Sequence, residues 1–198
     1  MTQLQKSPRK RQEQKEKTRQ KLLEVSLQLF VRKGYAGTTV RDIAESADVS
    51  VGLLFHYFPS KQAILEEHIK IAESGITSVM ELLASGRRPL ETFTMIVSLI
   101  LGSFEEAMPK NLFLLVIQVL SSESIPAAAK RTLSAFRIVE ASAPLITLGQ
   151  SEKEIKAGNP LALSVVFWGA IQGVAEMLAL NPDAPVPDHA IIVDILRA

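Results

Sequence analysis

The side chains best able to do chemistry gather between Thr38 and Lys61. Thr38, Thr39, Ser50 and Tyr57 bring hydroxyls, Arg41 and Lys61 bring fixed cations, and His56 brings an imidazole. Val51, Gly52 and Leu53 lie among them and bring none of these. Donors and cations gathered in one short stretch suit contact with a polyanion.

No enzyme signature accompanies them. The chain has no cysteine, and its three histidines, His56, His68 and His189, have no metal-ligand spacing. It carries no glycine-rich phosphate loop, His-Glu-x-x-His pair or nucleophile elbow, so the reading is a non-enzyme with no cofactor and no metal.

Two short helices must position those side chains. Thr39 with Asp42 three residues on forms a capping box ahead of Ile43, Ala44 and Ala47. Asp48 and Val49 make the turn, and Asp48 suits a left-handed backbone. Ser50 caps the second helix, Leu54 and Phe58 point back at the first, Pro59 stops it and Ser60 starts the next. Two helices so joined are a helix-turn-helix, whose second helix fits a DNA major groove.

The run Val49-Ser50-x-Gly52-x-Leu54-Phe55-His56-Tyr57-Phe58-Pro59-Ser60-Lys61, after Gly37-Thr38-Thr39 and Asp42-Ile43-Ala44, resembles the TetR family of transcriptional repressors over about residues 18–71. The resemblance implies a DNA-binding head, and a divergent helical body that binds a small effector and dimerises through its last two helices. On the matching positions it implies DNA contacts from Thr38, Thr39, Arg41, Ser50, Val51, Gly52, Leu53, His56, Tyr57 and Lys61. The chain departs from the family pattern where Val51 and Leu53 replace polar residues, Phe55 replaces tyrosine and Asp48 replaces the turn glycine. Val51 and Leu53 cannot hydrogen-bond, so they point to thymine methyls and T-rich half-sites, with much of the affinity electrostatic.

Charge supports that division. Residues 1–61 carry 12 Lys and Arg against 6 Asp and Glu, and residues 62–198 carry 10 against 15, within a net charge of +1. A basic head on an acidic body lets a polyanion meet the head alone. The start of the chain is polar and lacks a signal peptide's apolar run, and with the missing cysteines this fits the cytoplasm.

The expected organisation is all-α with about nine helices. It comprises a basic disordered arm over 1–16, a helix-turn-helix DNA-binding domain over 17–62 with its motif at 39–58, and a ligand-binding and dimerisation domain over 63–198. The arm holds Lys6, Arg9, Lys10, Arg11 and Lys15 for phosphates or the minor groove. Leu23, Leu27 and Phe30 mark a long helix to Lys33 that Gly34 ends, and another runs from Lys61 to about Leu83. In the body Pro89 starts one helix, Lys110 to Ser121 form another, one runs from Ala127 to about Ala143 and Pro144 ends or kinks it. Leu161 to Leu180 is long enough to span a bilayer, but Ser164, Gln172 and Glu176 argue for a protein core. Asp188 caps a last helix.

Phe104, Met108, Phe113, Ile117, Phe136, Trp168 and Gln172 are the candidate lining of a pocket for a small apolar or aromatic effector. Ala162, Val166, Gly169 and Gly173, with Ile192 and Ile195, are the candidate homodimer interface. The partners expected are double-stranded DNA, a second copy of the chain and that effector. The competing readings are a regulator that activates or needs no effector, and a helical protein at a membrane surface.

Overall fold

The computed structural model describes residues 8–198. These form ten helices: α1 Pro8–Lys33, α2 Val40–Ser46, α3 Val51–Tyr57, α4 Lys61–Leu83, α5 Pro89–Ser103, α6 Ala107–Ser121, α7 Ala127–Ser134, α8 Ile138–Ser151, α9 Pro160–Leu180 and α10 His189–Val193. The only β-type pairing among the described residues is an isolated bridge between Ile155 and Arg197. The chain divides into two compact units between His68 and Ile69, inside α4 and six residues beyond the boundary expected from sequence.

The first unit forms around α1. Leu22, Leu23, Leu27 and Phe30 recur at helical spacing and are buried, as are Ile43, Leu54, Phe58 and Ile64 in the segments that follow. Gly34 ends α1 at a φ of +76°, a conformation glycine adopts without strain. Gly37 has a separate reason, since a Cβ there would stand 2.5 Å from the Lys33 carbonyl oxygen.

The start of α1 corrects one expectation. Residues 8–16, assigned to a disordered arm, are helical, because α1 extends N-terminally with i to i+4 support such as the Arg9–Glu13 pair. Lys6 lies outside the described residues.

The second unit packs α8 along α9 and sets α5 against α8 and α10. Phe93 and Phe167 meet edge to face with centroids 4.9 Å apart. The α8–α9 seam also carries polar bonds: Ser164 donates its hydroxyl to the Val139 carbonyl at 2.7 Å, and the Trp168 indole donates to the Ser142 hydroxyl at 3.0 Å. Gly149 permits close approach, since a Cβ would meet Ile155 at 2.6 Å.

Two breaks differ from the sequence reading. The expected helix from Ala127 to about Ala143 is split into α7 and α8, because Arg137 takes a left-handed φ of +43°. Pro144 lies inside α8 instead of ending it. It sits on the exposed side of the helix. Helix α9 is long and apolar enough to cross a membrane by length and composition. It buries Phe167, Trp168, Ile171 and Leu178 within this unit.

Candidate nucleic-acid interface

Local capping builds α2 and α3 as the sequence requires. The Thr39 hydroxyl accepts from the Asp42 amide at 3.1 Å, and Asp42 accepts from the Thr39 amide at 2.7 Å. Asp42 also pairs with Lys33 at 2.9 Å. Hydrogen bonds from Lys33, and then from Thr39, hold its carboxyl well below the usual range. Asp48 makes the turn at a φ of +55°. The Ser50 hydroxyl accepts from the Leu53 amide at 3.1 Å, and the Ser60 hydroxyl accepts from the Ala63 amide at 3.1 Å to open α4.

Helix α3 stands on one buried side chain, Leu54, and its C-cap Phe58 is buried beside it. At 100° per residue, Gly52 and His56 lie on the side away from Leu54. Val51 and Phe55 share one flank and Leu53 holds the other. Val51 is 37% exposed, Leu53 40% and Phe55 48%. Together they make a small apolar rim on a helix of seven residues. The His56 and Tyr57 rings meet edge to face at 5.5 Å. A Cβ on Gly52 would find only the Ser50 hydroxyl, at 4.0 Å, so the space outside it is open.

The structure brings Thr39, Arg41, Ser50, Val51, Gly52, Leu53 and His56 to the surface, with Tyr57 half-buried. Two expected DNA contacts are corrected. Thr38 is fully buried, and its hydroxyl donates to the carbonyls of Gly34 at 2.9 Å and Leu29 at 3.2 Å. It ties the loop to α1 and is not available to a phosphate. Lys61 directs its ammonium inward, donating to the carbonyls of Tyr35 and Thr38 at 2.7 Å each and standing 4.2 Å from the Tyr35 ring centre. Burial pushes its pKa down. Lys61 therefore staples the loop before α2 rather than presenting a free charge.

Two features escaped the sequence reading. Phe55 belongs to the exposed rim of α3, a position that helical phase alone could have located. His68 is fully buried at the end of this unit, with Nε2 at 3.0 Å from the Ser26 hydroxyl and its ring edge-on to Phe30. Ser26 already donates to the Leu23 carbonyl, so Nε2 carries the proton, and Nδ1 is buried without a partner. Burial lowers the His68 pKa to about 4.

In the second unit the expected pocket residues differ in burial. Phe104 is buried and meets Phe113 at 5.4 Å, and Met108, Phe113 and Ile117 are half-buried along α6. Phe136 is half-buried in the turn before α8, and Trp168 is held by Ser142. Gln172 is corrected as a lining residue: it is exposed and donates to Glu176 at 2.9 Å. A cleft of about 480 Å³ lies elsewhere, between Arg88, Glu91, Lys153, Glu154 and Arg197, and its walls are charged. Arg88 is paired there with Glu154.

The candidate dimer residues separate by helix. Ala162, Val166 and Gly169 are exposed on α9 and Gly173 is half-buried. Near them Val165 is 55% exposed, Met177 62% and Leu180 80%. Ile192 is corrected, since it is buried within its own unit, and Ile195 is half-buried. The exposed isoleucine of α10 is Ile191. Among the described residues no group of three His, Cys, Asp or Glu side chains could hold a metal ion.

Comparison with known proteins centres on the first unit. The family model for bacterial regulatory proteins of the tetR family matches residues 22–68, which include α2, α3 and the start of α4. A probable helix-turn-helix transcriptional regulator of Bacillus subtilis, YttP, is 38% identical over 68 residues, covering 34% of this chain and 33% of that protein. The transcriptional repressor KstR2 of Mycolicibacterium smegmatis is 35% identical over 88 residues, covering 44% and 42%. The chain thus spans well under half the length of these curated relatives. The fold extends further. The crystal structure of the MbdR regulator from Azoarcus sp. CIB superposes with a TM-score of 0.76 over 90% of this chain and 97% of that one, at 22% identity. Residues 22–68 thus match the helix-turn-helix head of the tetR family of bacterial regulatory proteins, and the described chain shares the all-α fold of a solved regulator.

Proposed function

We propose that the protein is a DNA-binding transcriptional regulator, acting as a repressor that sits on a palindromic operator as a homodimer and leaves it when a small molecule binds the second unit. The observation that carries this reading is α3: a capped helix fixed by one buried leucine, with an open glycine at the centre of its outer face. A major groove admits one such helix. Arg41, Ser50, His56 and Tyr57 supply the surrounding donors, while the staple made by Lys61 keeps the loop before α2 in place and Thr39 gives its hydroxyl and amide to Asp42.

The homodimer reading rests on α9, whose exposed Val165, Val166, Met177 and Leu180 form more outward apolar surface than a lone subunit needs. Its small residues let a partner helix come close. A Cβ at Gly169 meets nothing within 4 Å in the subunit itself. Gly169→Trp should therefore leave each subunit folded and give monomers by analytical ultracentrifugation, and a dimer persisting at sub-micromolar concentration would remove α9 from the interface.

For the effector, half-buried Met108, Phe113 and Ile117 favour an apolar or aromatic molecule. Such a molecule releases DNA only by binding the released state better. Selection of bound duplexes from a random pool tests the reading as a whole. The result expected is a palindrome with half-sites separated by about one helical turn, ~34 Å, or a multiple, bound with a steep salt dependence. No enriched duplex, or binding indifferent to salt, would reject it.

A further inference from the structure

We infer that the exposed rim of α3 reads the C5-methyl group of pyrimidines rather than the identity of the base, so that 5-methylcytosine can take the place of thymine in the half-site. This rests on the proposal that α3 enters the major groove.

Three observations lead to it. Val51 and Phe55 lie four residues apart on one flank of α3, Leu53 holds the other, and all three are more than a third exposed. None of the three carries a donor or an acceptor. The groups on α3 that could hydrogen-bond are few. They are the Ser50 hydroxyl, which accepts from the Leu53 amide and keeps its own proton to donate, and His56 and Tyr57 at the other end of the helix. Gly52, at the centre, lets the backbone approach so that these apolar flanks reach the groove floor.

Thymine and cytosine differ in the groove at two places. Thymine presents an oxygen acceptor at C4 where cytosine presents an amino donor, and thymine alone has a methyl at C5. An aliphatic or phenyl side chain cannot sense the sign of a hydrogen-bonding group. It does gain by removing a methyl from water. Methylated cytosine offers the same methyl at the same carbon. Positions facing Val51, Leu53 and Phe55 therefore discriminate methyl from hydrogen, and methylation of cytosine would create sites there.

The test uses the full-length protein and the duplex enriched from the random pool. At each half-site thymine, four duplexes are compared by fluorescence anisotropy: T·A, U·A, 5-methyl-C·G and C·G. At methyl-reading positions T·A and 5-methyl-C·G should bind within about twofold of one another. U·A and C·G should each bind about fourfold more weakly, the fold-change equivalent to ~0.8 kcal/mol for one buried methyl-sized group. Phe55→Ala should bring the T-to-U ratio at one position toward one, and Val51→Ala gives a second readout should the first variant melt early. Equal binding of T and U at every position would overturn the inference. So would 5-methylcytosine behaving as cytosine, or ratios that survive both variants. A pool that yields no enriched duplex would instead remove the DNA-binding reading, and this inference with it.

Discussion

The two units both tie polar groups inward and leave apolar side chains outside, but the surfaces they leave differ in length and shape. In the first, several polar side chains turn inward while others stay outside: Lys61 and Thr38 hold the loop before α2, Arg19 pairs with Glu67, and His68 is sealed against Ser26. What that unit leaves outside on α3 is mostly apolar. In the second, the polar bonds of Ser142 and Ser164 lie along the α8–α9 seam, and the exposed surface of α9 is a broad apolar stripe. A short rim with an open glycine suits a groove in a rigid partner. A long stripe with small residues suits a second helix. What each unit leaves uncovered is what supports the partner proposed for it.

The largest expected effect lies where α3 meets the core of its unit. Leu54→Ala should cost about 3 kcal/mol, read by chemical denaturation, since Leu54 is fully buried and is the side chain that seats α3. A loss under about 1 kcal/mol would mean that α3 is held by its caps alone.

Acid should act next, and through the first unit. The folded His68 pKa of about 4 lies below its ordinary value of 6.5, so the unfolded chain takes up a proton that the folded chain refuses. Stability should be complete above about pH 6.5 and fall as pH drops toward 4, by on the order of 2–3 kcal/mol. His68→Phe should flatten that slope in denaturation measured at several pH values. An unchanged slope would place the acid sensitivity elsewhere.

The Lys61 staple should contribute less. Lys61→Met leaves two carbonyls without their ammonium, and about 1–2 kcal/mol of stability should disappear. Because that ammonium is committed to the loop, the slope of DNA affinity against salt should change by less than the ~0.9 expected for loss of a phosphate contact. A full change of slope would return Lys61 to the DNA surface.

These effects also separate what was legible in the chain from what was not. The capping box of Thr39 and Asp42, the Asp48 turn, the Ser50 cap and the Pro59 stop are local events, and local spacing records them. Tyr35 lies 26 residues from Lys61, and Leu29 lies nine from Thr38. No short-range pattern shows that a lysine or threonine will be taken up by such a partner, so both were assigned to DNA. In the body, apolar residues are dense on every helix. Periodicity therefore could not tell Ile192, which is inside, from Ile191, which is outside. Nor could it show that α8 would carry Pro144 on its exposed side or that the helix would break at Arg137.

One substitution tests the central claim with little else disturbed. Gly52→Glu adds a charged side chain where a Cβ has open space around it, so the fold should keep its melting temperature within about 2 °C. The added carboxylate would face the phosphates and the groove floor. Affinity for the selected duplex should fall by at least about 100-fold, of the order of 3 kcal/mol. Binding retained within a few-fold by a folded Gly52→Glu protein would show that α3 is not the element that meets DNA.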